Sequence, residues 1–150
     1  MMQNKFRYRV FDNDDKKMHD VIFLNYENNS VEWYNDKNKK RAAFIEEVPT
    51  VQCTGLKDKY GKLIYEGDIL NLYVSAKKLY RYQVKFEIGS FMLESQDEIF
   101  DFPMVWNDYV YPLSQLYYEY ENEENFIDQC EVVGNIYETP ELLKEVEQCQ

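Results

Sequence analysis

Long apolar runs are missing from this chain. No stretch of ~18 apolar residues occurs in its 150, so the sequence offers no transmembrane helix. The basic start Met1–Arg7 has no apolar stretch behind it, so no secretory signal is expected. Cysteine is scarce: Cys53, Cys130 and Cys149 cannot all pair with one another, and none belongs to a C-x-x-C motif. Reduced thiols in a cytoplasm are expected, with Cys53 and Cys130 serving as small hydrophobes inside strand-like segments and Cys149 near a frayed end.

Histidine is scarcer still. His19 stands alone, so any Ser–His–Asp or Cys–His chemistry would have to pass through it, and zinc sites of the usual Cys/His kind fail on ligand count. No G-x-x-x-x-G-K-[ST] or G-x-G-x-x-G nucleotide cradle occurs. Asp12–Lys17 superficially follows a calcium loop, but Lys17 stands where the sharp-turn glycine is needed. Abundant carboxylates always supply pairs and are no evidence for hydrolysis by themselves. The expectation is a non-enzyme with no catalytic, cofactor or metal residues, and with binding residues that the sequence does not assign.

Bases are nearly absent from the last third. Residues 1–93 carry 16 Lys/Arg against 13 Asp/Glu, whereas residues 94–150 carry Lys144 against 15 acids, for a net charge of −11. A surface of that sign repels phosphate backbones and argues against generic nucleic-acid binding there. The plainer role of the acidity is to keep a Tyr-rich surface soluble.

Aromatics are abundant: 17% of the chain, including 14 Tyr. They favour pleated, half-buried surfaces and so point to sheets. Phe6, Tyr8 and Val10 alternate with Lys5, Arg7 and Arg9, and Tyr80, Tyr82, Val84 and Phe86 alternate with polar residues up to Glu87. Both are period-2 strands. Val31–Tyr34, Ile69–Val74, Phe91–Leu93 and Val132–Tyr137 read as further strands, Val21–Leu24 as a short apolar run, and Val51–Leu56 with Leu63–Tyr65 as a hairpin or a tight loop. Asp12–Lys17 reads as a polar turn and Asp36–Arg41 as a charged loop, while Ala42–Val48 suits strand or helix equally. Asp58–Gly61 suits a turn with Gly61 at positive φ. Gly134 inside a strand suggests a bulge or a close backbone approach. Thr139, Pro140 and Glu141 fit the N-cap and first turn of a short C-terminal helix whose apolar stripe is Leu142, Leu143 and Val146. Residues 94–128 resist assignment, although Glu119–Asp128 reads as an exposed acidic loop. Many short strands spaced by turns predict a small barrel or sandwich.

Three segments in order resemble the YopX family of phage and prophage proteins. They are Tyr8-Arg9-Val10-Phe11-Asp12 followed by Lys16-Lys17-Met18, then Thr54–Ile69, then Val132–Leu143. Phe11 stands where the family usually has Trp, Tyr60 where it has Asn, and Thr139 where Asn is common. The matches frame almost the whole chain, and residues 71–128 match only in general character. The resemblance implies a mostly β protein with a small SH3-like barrel, additional N-terminal β strands and a short C-terminal helix. It implies a single unit over 1–150, divisible into two small β modules of about 1–50 and 51–150. It also implies a phage or prophage origin and hence the cytoplasm of a bacterial host. It carries over no activity and no catalytic residues.

Three functions follow as expectations. The first is a non-enzymatic accessory protein that binds an unidentified protein partner through aromatics exposed on a small barrel. The second is a DNA mimic, in which the acids of residues 94–150, including Glu119, Glu121, Glu123 and Glu124, imitate phosphates and occupy a host DNA-binding protein. The third is a nucleic-acid binder using Lys5, Arg7, Arg9, Lys37, Lys39, Lys40 and Arg41, which rests on analogy of fold. A cluster of Asp58, Glu66 and Asp68 around a metal is a further alternative without a supporting spacing rule. No membrane partner is expected, and a symmetric homo-oligomer is compatible with exposed strand edges.

Overall fold

The computed structural model describes residues 6–75, 78–95, 110–114 and 130–145. The chain is mostly β, with antiparallel sheets curled into a half-barrel. Twelve strands are described: β1 (Tyr8–Asp12), β2 (Lys17–Asp20), β3 (Phe23–Asn25), β4 (Ser30–Tyr34), β5 (Lys40–Phe44), β6 (Thr50–Lys57), β7 (Leu63–Tyr65), β8 (Asp68–Ser75), β9 (Lys78–Glu87), β10 (Ser90–Glu94), β11 (Val110–Pro112) and β12 (Cys130–Asn135). A 3₁₀ turn covers Ile45–Glu47, and the short helix α1 covers Leu142–Glu145.

The strands form three sheets, ordered β2-β1-β6-β7, β11-β10-β9-β8-β12 and β3-β4-β5. The first draws β1 and β6 from either side of residue 50, with Tyr8 opposite Gln52. The largest core lies on the second, where Leu70, Leu72, Tyr82, Val84, Leu93 and Val132 bury one face with Ile64 of β7. Val10, Val31 and Trp33 form a smaller core between the first and third sheets, and Val51, Cys53 and Tyr65 form another.

The alternation seen at Tyr80–Glu87 survives: Tyr82 and Val84 are buried, and Phe86, next on the same face, is half exposed near the end of the hairpin. The Asp58 turn is present, with Gly61 at φ +80°. Both expectations for Gly134 are met. The β12–β8 register shifts between Val132 and Gly134, and a Cβ added there would lie 2.1 Å from the Thr139 hydroxyl oxygen.

Several expectations need correcting. Asp12 belongs to the strand and is buried, because the Trp33 indole and the following turn amides satisfy its carboxylate. Lys40 and Arg41 are strand rather than loop, because Tyr34 pairs with Lys40 and the Asn35 side chain closes the turn by accepting from Lys37 N and Lys39 N. Residues 42–47 divide between the end of β5 and the 3₁₀ turn, and Val48 is extended backbone just past it. The Thr139 hydroxyl faces back to the strand, accepting from Asn135 N (3.0 Å) and donating to Asn135 O (3.1 Å), so it closes the turn before α1. Val146 and Cys149 lie outside the described residues.

Edge strands expose unpaired backbone groups, and this chain covers two of them with turn backbone and carboxylate side chains. The β6–β7 turn docks on the free edge of β12: Lys59 N donates to Cys130 O (3.0 Å) and Val132 N donates to Asp58 Oδ2 (3.0 Å). The edge of β2 receives Glu138, whose Oε1 accepts from Met18 N at 3.0 Å. Arg81 fastens α1 to β9 by donating to Leu142 O (2.6 Å).

Candidate protein-binding groove

The residues singled out for chemistry turn out to hold the fold. His19, on β2, lies 2.7 Å from Asp15 Oδ2, and with Asp12 these side chains place their ligand atoms within 4.8 Å of one another. The oxygens are already engaged. Asp12 Oδ1 accepts from Asp14 N (2.8 Å) and Oδ2 from Trp33 Nε1 (2.9 Å), while Asp15 accepts from Lys17 N and Asp36 N. Burial pushes both carboxyls up, but the N–H donors outweigh it and hold both below the usual carboxylate range. The cluster is the lock of the β1–β2 turn.

Asp58, Glu66 and Asp68 are not brought together as a ligand set; among the described residues the one three-residue cluster is that of Asp12. Asp58 accepts from Tyr60 N and Lys62 N at 2.9 Å as well as from Val132 N. Asp68 Oδ2 accepts from Tyr65 N at 2.8 Å, and burial pushes its carboxyl up to about 6. Glu66 is raised by burial, opposed by a bond from the Gln52 backbone. Cys53 and Cys130 are buried, and burial raises the Cys53 thiol.

The basic residues of the N-terminal half are largely matched by acids. Arg9 Nε donates to Asp20 (3.2 Å) and its guanidinium lies 4.4 Å from the centre of the Tyr65 ring. Arg7 lies 4.0 Å from Asp20, Lys40 3.3 Å from Glu32, and Arg41 pairs with Asp14. Lys5 and the acids Glu119–Glu124 lie outside the described residues.

What the fold assembles instead is an open groove of about 290 Å³. One wall is Phe6–Tyr8, and the other is Val21–Leu24 with Tyr26. The Val21 amide donates to Tyr8 O, which pins the two walls together at one end. Four large side chains stay open to solvent: Phe6 at 68%, Ile22 at 49%, Phe23 at 53% and Tyr26 at 75%. Burial raises the Tyr8 hydroxyl's pKa, and Tyr26 adds to it through charge and a side-chain hydrogen bond. Arg7 and Asp20 supply one charge of each sign at the groove. Sequence reasoning identified the N-terminal strand and the apolar run Val21–Leu24 but not their meeting. The available signal was that run, in which Val21 and Leu24 pack on the Val10–Val31–Trp33 core and Ile22 and Phe23 between them stay exposed. A second groove, of about 260 Å³, lies between Glu66–Gly67, Gln83–Glu87 and Ile136–Tyr137.

Residues 7–144 match the family described as YopX protein. Two solved structures are similar over nearly the whole chain. The crystal structure of protein EF1440 from Enterococcus faecalis shares 25% identity at a TM-score of 0.54, covering 91% of this chain and 96% of that one. The X-ray structure of protein YopX from Bacillus subtilis shares 20% identity at a TM-score of 0.56, covering 93% of this chain and 98% of that one. No curated protein matches. The match spans the three segments that carry the resemblance and the middle between them, and the chain belongs to the YopX family.

Proposed function

We propose that this chain is a non-enzymatic protein-binding module, an accessory protein of a phage or prophage acting in the cytoplasm of a bacterial host. The observation that carries the reading is the groove between Phe6–Tyr8 and Val21–Tyr26. Aromatic side chains left half or more exposed around a concave surface are the usual anchors of protein recognition, because they bring large area at low entropy cost. The buried Asp12, Asp58 and Asp68 and the partly buried Asp15 support it from the other side: each accepts backbone or indole donors that the fold requires.

The test is capture from host lysate by the intact chain and by a Phe23→Ser/Tyr26→Ser variant. Both positions are exposed, so the fold is expected to persist. A protein held by the intact chain and lost with the variant supports the groove; equal retention by both removes it. The second reading, mimicry of DNA, rests on the 15 acids of residues 94–150. Direct nucleic-acid binding is disfavoured by the acids set against Arg7, Arg9, Lys40 and Arg41.

A further inference from the structure

The β9–β10 hairpin turns through Ile88 and Gly89, with Glu87 paired to Ser90. Both turn residues have positive φ, +52° at Ile88 and +73° at Gly89. A two-residue loop of this kind favours Asn or Gly at its first position, and a β-branched residue there is an outlier. Ile88 is also 94% exposed, so burial offers nothing in return within the chain. Phe86 below it is 45% exposed and packs edge-to-face on Phe91 at 5.0 Å between ring centres. The tip is thus an apolar projection on a strained turn. Strain of this sort, where observed, points to a functional contact.

We propose that the Ile88 tip of one copy inserts into the Phe6–Tyr26 groove of a second copy, a head-to-tail contact. This rests on the reading of that groove as a binding surface. The groove contains no residue of β9 or β10, so a chain's own tip does not fill it. The flanking charges are complementary: Glu87 adjoins the tip, and at the groove the one acid, Asp20, is shared by Arg9 (3.2 Å) and Arg7 (4.0 Å), which leaves one base in excess. Lys85, the base nearest the tip, lies 2.8 Å from Glu94, which offsets its charge. The four exposed groove side chains offer on the order of 400–500 Å² of apolar area, given about 150–250 Å² for a large aromatic. A standard interface takes roughly 800 Å² per partner, so these residues alone supply about half. Residues 1–93, which hold both surfaces, carry a small positive balance and do not share the repulsion of the acidic third. A head-to-tail contact propagates until a ring closes or a chain extends.

The test is light scattering coupled to size exclusion, up to ~100 µM. The wild type is expected to run above the monomer mass. Ile88→Asn and Phe23→Asp are each expected to run as monomers, and their equimolar mixture as a dimer and nothing larger, because one intact tip meets one intact groove. Ile88→Asn is also expected to raise the melting temperature by about 2–4 °C, since Asn tolerates the left-handed turn. Should Phe23→Asp unfold, Tyr26→Lys replaces it. A monomeric wild type, a single variant that keeps the wild-type mass, or a monomeric mixture overturns the proposal. A monomeric wild type whose captured lysate protein is still lost with Phe23→Ser/Tyr26→Ser overturns this inference and leaves the groove reading standing.

Discussion

Asp12 and Asp68 are both buried aspartates, and they respond to pH in opposite senses because their donors differ. Asp12 receives an indole N–H and two turn amides, which outweigh the burial that would raise it. Asp68 is raised by burial from 3.8 to about 6, and the Tyr65 amide bond and the Arg9 and Lys62 charges that oppose this are too little. A raised folded value means that Asp68 contributes stability in full below about pH 4, and this contribution is lost as pH rises through about 6. A lowered folded value means that Asp12 contributes above its unfolded value and loses that contribution as pH falls through the folded one. Stability is therefore expected to increase from pH 7 to pH 5 and to fall again in acid. Asp68→Asn keeps an oxygen for the Tyr65 amide and removes the buried charge. Urea unfolding should show it more stable at pH 7 by on the order of 1–2 kcal/mol, with the pH 5–7 slope flattened and the acid limb intact. A variant whose midpoint still drops from pH 5 to pH 7 as steeply as the wild type would clear Asp68 of that role.

At the scale of elements, the C-terminal turn is held by close approach. The Asn135 side chain accepts from Tyr137 N and Glu138 N, Thr139 returns to Asn135, and Gly134 leaves the space into which Thr139 and Leu142 fit. Gly134→Ala puts a methyl 2.1 Å from Thr139 Oγ1 and 2.7 Å from Leu142 Cδ1, so the turn and α1 must move. A loss of about 2–4 kcal/mol is expected by thermal or urea unfolding, and Gly134→Ala/Thr139→Ala should lose less than the sum of its parts. Wild-type stability in Gly134→Ala would show that the contact is not tight. Features written in a few adjacent residues were readable in advance: the alternation at Tyr80–Glu87, the turn at Asp58–Gly61 and the unusual glycine at 134. Features that join distant segments were not. The Asp58 carboxylate meets Val132 N across 74 positions, and Asp12 meets Trp33 across 21. Locally an aspartate before a polar run looks like turn, and only the distant partner places it inside. The groove failed for the same reason, since Phe6–Tyr8 and Val21–Tyr26 look like an ordinary strand and a short apolar run until the fold sets them face to face.

At the scale of the molecule, two regions of the chain compete for the proposed partner binding, and they obey different physics. The groove offers apolar area with one base and one acid, whereas residues 94–150 offer 15 acids and Lys144. Apolar contacts gain little from low salt, because the driving force is removal of surface from water. A contact made by imitating phosphates depends on the counterions displaced, and a partner that neutralises several charges loses about 10³–10⁵ in affinity between 50 and 200 mM salt. The captured partner's affinity is expected to change by less than about threefold over that range, and to be unaltered when Glu119, Glu121, Glu123 and Glu124 are changed to Gln together. Isothermal titration with the purified partner at both salt concentrations measures this. A steep salt slope that the fourfold Gln variant abolishes would move the binding function from the groove to the acidic third. It would leave Phe6, Ile22, Phe23 and Tyr26 free for contact between copies of the chain.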